Sequence, residues 1–268
     1  MIMIKKLRIL LLVYFCLSAG CVVNPITGKE ELMFLPEEQD VAIGRQYAPE
    51  IEKELGGRID NTILQNYVNN VGQRVARFSH RPDIEYSFVA LNEKQVNAFA
   101  LPGGYLFITR GMLEKLSSEA QLAAILGHEV SHVVARDTSA AMSREIGIDL
   151  LLSTVMREKT PEGLVRVAGL TRQILSLRYS RVDERDADLA GLDYMVKAGY
   201  NPYGMVETMG MLAAEQKVRP VEFFSTHPLP ENRIEYLREE IESEYSRLDG
   251  LRVGKEDYSR NVLGQLQD

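Results

Sequence analysis

Residues 128–132 read His-Glu-Val-Ser-His, and this pentapeptide constrains the chain more than any other segment. Two histidines four residues apart on a helix project from one face, with Cβ atoms about 5–6 Å apart, so both imidazoles can reach one metal ion. Glu129 then stands where a general base could act on a metal-bound water. The chain has only four histidines, so chance rarely produces this spacing. The pentapeptide predicts a catalytic metal site; the alternative is a helix with two hydrogen-bonded core histidines and a buried glutamate.

The helix that carries the pentapeptide is predicted to be buried. Ser117 and Ser118 are candidate N-caps, and apolar residues cover most sides of the segment up to Ala135. An imidazole without a partner is unfavourable in such an interior, so metal binding is the simplest explanation for both histidines. Gly127 lowers helix propensity directly before the motif, which is tolerable if another backbone or a substrate passes close by.

The third metal ligand is expected on another segment, because a hydrolytic zinc site normally has three protein ligands and one position for water. His80 and His227 are the remaining histidines, and a glutamate serves equally well. Glu184 and Asp188 are again four residues apart, on a helix whose apolar residues predict burial. Charge runs of this kind more commonly form a solvated helix face. The residues alone therefore leave the third ligand open.

Four segments together resemble one peptidase family. They are His128–His132, Glu184 with Asp188, Asn97–Gly104, and Ser225-Thr-His-Pro228 followed by Arg233. In this order they are similar to the motifs of the zinc metallopeptidases of the HtpX, BepA and LoiP type. These are gluzincins related to the CAAX prenyl endopeptidases and the Oma-type peptidases. The resemblance extends over about residues 24–245, nearly the whole chain after its N-terminal segment.

The resemblance implies a role for each residue of the predicted metal site. His128, His132 and Glu184 would bind one Zn²⁺ per chain, and Glu129 would be the general base. Asp188 would either orient a ligand histidine or donate a proton, and the sequence does not separate these two roles.

His227 has two possible roles within the resemblance. It could donate a hydrogen bond to the oxyanion of the tetrahedral intermediate. It could instead occupy the fourth position on zinc in a resting state, as in regulated relatives, and we favour this second role. Without the resemblance, His227 would be a loop histidine that caps the following helix.

The segment that begins at Asn97 predicts how a substrate is held. Its aromatic and apolar residues have strand character, and Pro102 with two glycines breaks the run into a hairpin or an edge. An edge strand beside a zinc site can bind an extended peptide by strand addition. An ordinary β-hairpin that packs on the core is the alternative. The predicted substrate-binding residues are Asn97, Ala98, Phe99 and Ala100.

The N-terminal residues predict where the protein acts. A short basic segment precedes an apolar run over residues 9–17, which is too short to span a membrane and is typical of a signal peptide. Ser18-Ala-Gly-Cys21 resembles a bacterial lipobox, although Ser18 replaces the usual leucine, so we expect cleavage before Cys21 and lipidation of its thiol. By resemblance to enterobacterial lipoproteins, Val22 after the cysteine indicates sorting to the outer membrane. An uncleaved N-terminal anchor is the alternative.

Cysteine content argues against an internal disulfide, and charge argues against two classes of partner. Cleavage would leave Cys21 as the one cysteine of the mature chain, so no internal disulfide could form. The full chain has a formal net charge of −7, and loss of the basic leader makes the mature chain more acidic. Binding to nucleic acid and electrostatic adhesion to anionic lipid are therefore disfavoured, which leaves the acyl chains as the membrane contact.

The predicted fold class is α+β and mostly helical: a zincin-like metallopeptidase domain with a small β-sheet ahead of the HExxH helix. No internal repeat is evident, and in particular no 34-residue helical repeat array follows the peptidase region, unlike BepA-type relatives. The predicted strands lie at Ile84–Leu91 and Ala98–Ile108. The predicted helices lie at Pro36–Leu55, Asn61–Ser79, Ser118–Ala135, Ile146–Met156, Glu162–Leu177, Val182–Ala198, Pro202–Gln216 and Glu231–Tyr245. The predicted parts are a signal peptide (1–20), a lipidated tether (21–35), the metallopeptidase domain (36–250) and a C-terminal tail (251–268).

The apolar segment Ile146–Met156 could be mistaken for a membrane span. It has eleven residues, includes Asp149 and is followed directly by charged residues, whereas a span needs about 20 apolar residues. It therefore predicts part of an amphipathic hairpin in a soluble domain, and this hairpin could cover the active-site cleft.

These observations predict a lipid-anchored zinc endopeptidase on the periplasmic face of the bacterial envelope, at the outer membrane. By resemblance to quality-control peptidases, its substrates would be misfolded, stalled or misassembled envelope proteins. One alternative is an envelope chaperone or assembly factor with a structural or latent zinc site, but such a site would not require Glu129. Another is a zinc hydrolase with a non-peptide substrate, against which the predicted edge strand at Asn97 argues.

Overall fold

A computed structural model of the protein describes residues 21–144, 175–228 and 232–267. Helices predominate, and the predicted mostly helical α+β fold is confirmed. The strands are β1 (Cys21–Val23), β2 (Glu30–Leu32), β3 (Ser87–Leu91), β4 (Ala98–Leu101) and β5 (Tyr105–Thr109). The helices are α1 (Glu37–Glu54), α2 (Thr62–Ala76), α3 (Arg110–Leu113), α4 (Glu119–Ala135), α5 (Arg181–Lys197), α6 (Tyr203–Val218), α7 (Phe223–Thr226), α8 (Arg233–Glu244) and α9 (Lys255–Asn261). Residues 137–144 are also helical.

Among the described residues, the larger sheet has the strand order β3–β5–β4, so β4 is an edge strand there. β3 runs parallel to β5, and β4 pairs with β5 as an antiparallel hairpin in which Phe99 opposes Phe107. The hairpin turns at Gly103, where φ is +80° and a Cβ atom would lie 2.6 Å from the Cα of Val41. Only glycine fits this turn. The predicted run Ala98–Ile108 is thus two strands, and the first predicted strand begins later, at Ser87.

The sheet separates two apolar clusters, because successive side chains of a strand point to opposite faces. Phe88, Ala98 and Leu106 face the main core with α2 and α4. Val89, Phe99 and Phe107 face the other side and pack against α1. Every residue of α4 is buried, so the helix with the pentapeptide is the centre of the domain.

Helices α4 and α5 approach each other at two glycines. A Cβ atom on Gly127 would lie 2.9 Å from the carbonyl oxygen of Gly191, and one on Gly191 would lie 2.8 Å from the backbone nitrogen of His128. Each glycine therefore permits an approach that alanine would obstruct. This confirms the expectation that another backbone passes close to Gly127, and it brings Glu184 and Asp188 of α5 next to the histidines of α4.

The structure shows further regular elements at both ends of the domain. Residues 21–35, predicted as a tether, contain the antiparallel pair β1–β2. In the predicted tail, α9 packs on the core: Tyr258 is fully buried and its hydroxyl donates to the carbonyl of Leu113 at 2.7 Å. These elements have three to seven residues each, so they are too short for hydrophobic periodicity to reveal them.

Among the residues described, no helix combines the length and the apolar character that a membrane-spanning segment needs. The predicted signal peptide and the predicted helix Ile146–Met156 lie outside the described residues, as does nearly all of Glu162–Leu177.

Candidate metal centre

Four side chains converge where α4 crosses α5: His128, His132, Glu184 and His227. Each is at most 1% exposed, and one potential ligand atom of each lies within 4.8 Å of all the others. The Nε2 atoms of His128 and His132 are 3.1 Å apart. His227 Nδ1 lies 3.2 Å from His128 Nε2 and 2.8 Å from Glu184 Oε1. The structure therefore brings together the three predicted ligands and His227, the candidate fourth ligand.

The spacing of these atoms approaches that of ligands around a tetrahedral metal ion: two separations lie in the ideal range, and the three given above, of 2.8, 3.1 and 3.2 Å, are shorter. Metal–ligand bonds of about 2.0–2.2 Å place neighbouring ligands about 3.3–3.6 Å apart in a tetrahedron. The separation of His132 Nε2 from Glu184 Oε1 is 3.4 Å, and that of His128 Nε2 from Glu184 Oε2 is 3.6 Å. Imidazole nitrogens with one carboxylate are the donors that zinc accepts in proteins. Together with His227 they form a complete four-ligand set.

A carboxylate, an arginine and a tyrosine hold the His128 side of the centre. Asp188 Oδ1 lies 3.0 Å from His128 Nδ1, the nitrogen that faces away from the cluster. Arg233 donates to Asp188 from Nε at 2.6 Å and from Nη2 at 2.5 Å, and the Tyr236 hydroxyl donates to Asp188 Oδ2. Arg233 also donates to Glu184 at 3.3 Å. Such contacts fix the orientation and tautomer of a ligand histidine.

His132 has an equivalent partner that the sequence analysis missed. Asp137 Oδ2 lies 2.7 Å from His132 Nδ1, and the ring of Tyr179 stacks on His132 with centroids 4.0 Å apart. Asp137 follows Arg136, which has a φ of +60° and ends α4 in the left-handed conformation. This turn brings Asp137 back toward the histidine one turn earlier. An acid five residues after the second histidine was the available signal, but its role depends on where the helix ends.

Arg136 is held by the N-terminal part of the chain. Its Nε donates to Asp40 at 2.5 Å, its Nη2 donates to the carbonyl of Leu35 at 2.8 Å, and Ser139 donates to Asp40 at 2.7 Å. All these side chains are buried. The ion pair therefore fixes the end of α4, and with it the position of Asp137.

Glu129 differs from the other acids of the centre, because neither of its oxygens has a hydrogen-bond partner among the described residues. The side chain is fully buried, and burial raises the pKa of its carboxyl group. His227 Nε2, which also lacks a hydrogen-bond partner there, is 3.7 Å from Glu129 Oε1. A buried polar group without a partner is unfavourable, so these atoms are arranged for a polar ligand.

The other two acids are held in the ionised form. Burial raises the pKa of Glu184, but His227 and His128 outweigh this effect and leave it well below its ordinary value. Burial likewise raises the pKa of Asp188, and the facing Arg233 and His128 reverse that shift. Glu184 is therefore a carboxylate that can bind a cation, whereas Glu129 accepts a proton readily.

The predicted substrate-binding segment lies on edge strand β4 beside α4. The side chains of Ala98, Phe99 and Ala100 are buried, whereas Asn97 precedes β4 and is half-buried. Phe99 stacks on Phe107 with centroids 5.1 Å apart, so Phe99 serves the core. Asn97 Oδ1 is buried without a partner among the described residues. The carbonyl of Ala100 lies 3.5 Å from Thr138 Oγ1. The geometry permits strand addition through the backbone of Ala98 and Ala100, and the substrate role stays a prediction.

Two further candidates lie away from the centre. His80, a possible third ligand from sequence alone, contacts Tyr194: its Nδ1 is 2.6 Å from the tyrosine hydroxyl oxygen. It is not a member of the cluster. Cys21 is the first residue of β1, opposite Leu32 in the backbone register.

Comparisons with known proteins match the chain to one family model and to several relatives. The model of Peptidase family M48 matches residues 62–241, about two thirds of the chain. A putative beta-barrel assembly-enhancing protease of Vibrio cholerae is 26% identical in an alignment of 250 positions that covers 85% of this chain and 51% of the relative. The beta-barrel assembly-enhancing protease of Escherichia coli is 27% identical in an alignment of 208 positions that covers 73% of this chain and 42% of the relative. The mitochondrial metalloendopeptidase OMA1 of Schizosaccharomyces pombe is 31% identical in an alignment of 222 positions that covers 80% of this chain and 65% of the relative. The chain thus spans about half the length of the bacterial relatives.

Proposed function

The chain belongs to peptidase family M48, and we propose that it is a zinc-dependent endopeptidase of the bacterial cell envelope. The match confirms the family and the metalloprotease class that the motifs predict. One observation supports the proposed chemistry most strongly: Glu129 is buried, finds no hydrogen-bond partner in the part of the chain that the structure describes, and lies next to a converging set of four metal-binding side chains. A purely structural metal site does not require such a carboxylate.

His128, His132 and Glu184 would hold the metal. A bound zinc ion would polarise the scissile carbonyl and lower the pKa of an attacking water. Glu129 would take the proton from that water and pass it toward the leaving amine, and its raised pKa suits this transfer.

Asp188 is better suited to positioning than to proton donation. Its two oxygens already accept from Arg233 and Tyr236 and face His128, and its pKa is lowered. A carboxylate in this state has no proton to give at neutral pH. We therefore assign Asp188 the role of orienting His128.

His227 would be a fourth ligand in a resting state. Its Nδ1 lies inside the ligand cluster, and four protein ligands leave no position for water in a tetrahedral site. His227→Ala should then raise cleavage of casein and of a model peptide. A loss of about 10²–10³-fold would instead support oxyanion stabilisation by His227. Activity equal to wild type on both substrates would eliminate both roles.

The proposed substrates are misfolded or stalled proteins of the envelope. The names of the bacterial relatives, beta-barrel assembly-enhancing proteases, support this class. The proposed location is the periplasmic face of the outer membrane, through acyl chains on Cys21. Cys21→Ala should release the protein from membranes or leave an unprocessed precursor. A fully processed mutant that still sediments with membranes would contradict lipidation at this residue.

A second candidate is an envelope assembly factor with a latent or structural zinc site, which the closed four-ligand geometry favours. The decisive experiment is zinc analysis of the purified full-length protein, with casein digestion with and without a chelator. The endopeptidase predicts about one zinc per chain and digestion that the chelator stops. Zinc-loaded protein, either wild type or His227→Ala, that digests nothing would support the assembly factor.

A further inference from the structure

The described residues expose nine large hydrophobic side chains, and five of these belong to the short stretch between residues 22 and 41. Single exposed apolar residues are normal on a protein surface, but a concentration of them marks an interaction site. Three of the five form what we call the hairpin face: Val23 is 55% exposed, Leu32 41% and Phe34 45%.

The hairpin face follows from the pairing of β1 and β2. Val23 opposes Glu30 and Cys21 opposes Leu32, so Val23 and Leu32 are diagonal neighbours on one side of the ribbon. Beyond β2, Leu32 is exposed, Met33 is 5% exposed and Phe34 is exposed again. This alternation places Phe34 on the same outward side.

The hairpin is fixed on the catalytic domain. The backbone N–H of Phe34 donates to Ser143 Oγ at 3.0 Å, and the carbonyl of Leu35 accepts from Arg136 at 2.8 Å. Within the hairpin, Asn24 donates to Glu31 at 2.8 Å. A group attached at Cys21 would therefore begin at the surface of the domain, with no flexible spacer between them.

The charges around this surface argue for apolar contact. Glu30 opposes Val23 and lies on the same side of the ribbon. Glu37 and Glu38 are exposed nearby together with Lys29, Glu37 pairs with Arg81, and the whole chain has a net charge of −7. Anionic headgroups would not attract such a surface. Burial of apolar side chains in the interfacial region of a bilayer remains favourable.

We propose that the hairpin face is a membrane-docking surface, which inserts into a phospholipid bilayer beside the acyl chains on Cys21. It rests on the lipidation of Cys21 included in the proposed function. Docking adds a second, rigid contact to the acyl chains, so the catalytic domain is held in one orientation on the membrane. Because Leu35 and Phe34 contact Arg136 and Ser143, the membrane-facing side is the side where α4 ends.

The absence of tryptophan from the chain permits a direct test. Phe34→Trp places a fluorescent reporter on the hairpin face. Ile63→Trp is the matched control, because Ile63 is 55% exposed and lies at the start of α2, where Asn61 contacts Gln265. Each variant is expressed from the full-length chain, and its acylated mature form is reconstituted in vesicles of phosphatidylethanolamine and phosphatidylglycerol, with and without bromine on the lipid chains. Intact mass establishes acylation in each sample.

Docking predicts blue-shifted emission and quenching by brominated lipid for Phe34→Trp, and neither for Ile63→Trp. If the protein is acylated and neither reporter is quenched, the docking surface is overturned while the lipid anchor stands. Equal quenching of both reporters would overturn a fixed orientation. If the emission of Phe34→Trp is blue-shifted without vesicles and the protein sediments as a dimer, the hairpin face is a contact between two copies of the chain and the docking surface is overturned. If the intact mass of the mature protein shows no acyl chains, the lipid anchor is overturned, and this proposal with it. Casein cleavage tests the proposed peptidase activity separately.

Discussion

Helix α4 carries two buried glutamates ten residues apart, and their surroundings are opposite. At the N-terminal end, Glu119 accepts from the hydroxyls of Tyr67 at 2.6 Å and Tyr200 at 2.8 Å, and it pairs with Arg252 at 2.9 Å. In the C-terminal half, Glu129 has no partner among the described residues. Burial of a charged group is thus common to both positions and does not identify a functional site. What identifies the functional site is the unmet hydrogen-bonding capacity of Glu129.

The neighbouring histidines deepen this contrast. Near Glu129, nitrogens of His128 and His132 face each other at 3.1 Å, an arrangement that a shared cation stabilises. At the other end, the Glu119 carboxylate accepts hydrogen bonds from two tyrosine hydroxyls and pairs with an arginine, so its hydrogen-bonding capacity is met without a ligand. Substitutions in the C-terminal half should therefore change metal binding and catalysis, and substitutions at the N-terminal end should change stability alone.

The largest effect is expected from loss of a metal ligand. His132→Ala removes one of three proposed zinc ligands, so the zinc content should fall well below one per chain and proteolysis should be abolished. Because a metal that binds only the folded state stabilises it, the melting temperature in zinc should fall as well. Metal analysis of the purified variant and a thermal melt provide the measurements. Full zinc occupancy in this variant would refute the ligand assignment.

Glu129→Gln should reduce peptide cleavage by about 10²–10⁴-fold, because it removes the proton acceptor. Zinc content should not change, since Glu129 is not a proposed ligand. The assay compares turnover on casein and on a model peptide with metal content measured on the same sample. Cleavage at the normal rate would defeat the proposed mechanism and would make Glu129 a second structural acid like Glu119.

Asp137→Asn should weaken zinc binding by about 10–100-fold, as expected when the carboxylate behind a ligand histidine is lost. The side chain keeps its size, so the fold should persist. Competition with a chromophoric chelator measures the affinity. Asp188→Asn is the matched comparison on His128, and because Arg233 and Tyr236 also contact Asp188, its effect should be at least as large. Unchanged affinity in Asp137→Asn would show that the contact with His132 is not required.

Local spacing explains what the sequence could predict. His128 with His132 and Glu184 with Asp188 are each one helical turn apart, and Pro102 with its glycines breaks one apolar run into two strands. These signals lie within a few residues of one another, and the structure shows the corresponding helices and hairpin.

The missed residues depend on distant contacts or on an irregular backbone. Asp137 faces His132 only because Arg136 adopts the left-handed conformation. Tyr236 reaches Asp188 from a helix 48 residues away in sequence, and Tyr200 reaches Glu119 across 81 residues. Neither tyrosine belongs to a recognisable motif, because its role is defined by packing and not by spacing.

The smallest effect on the metal centre is expected from Glu119→Gln, which alters the satisfied end of the same helix. The amide keeps the shape of the side chain but loses the charge that Arg252 and two tyrosine hydroxyls stabilise, so unfolding should become easier by about 1–3 kcal/mol. For a chain of this size that corresponds to a fall of about 2–4 °C in melting temperature per kcal/mol. Zinc affinity, measured by the same chelator competition as for Asp137→Asn, should equal that of wild type, and so should turnover at saturating zinc. If Glu119→Gln instead weakened zinc binding as much as Asp137→Asn, the two ends of α4 would be energetically coupled. Unmet hydrogen-bonding capacity would then no longer distinguish the functional glutamate from the structural one.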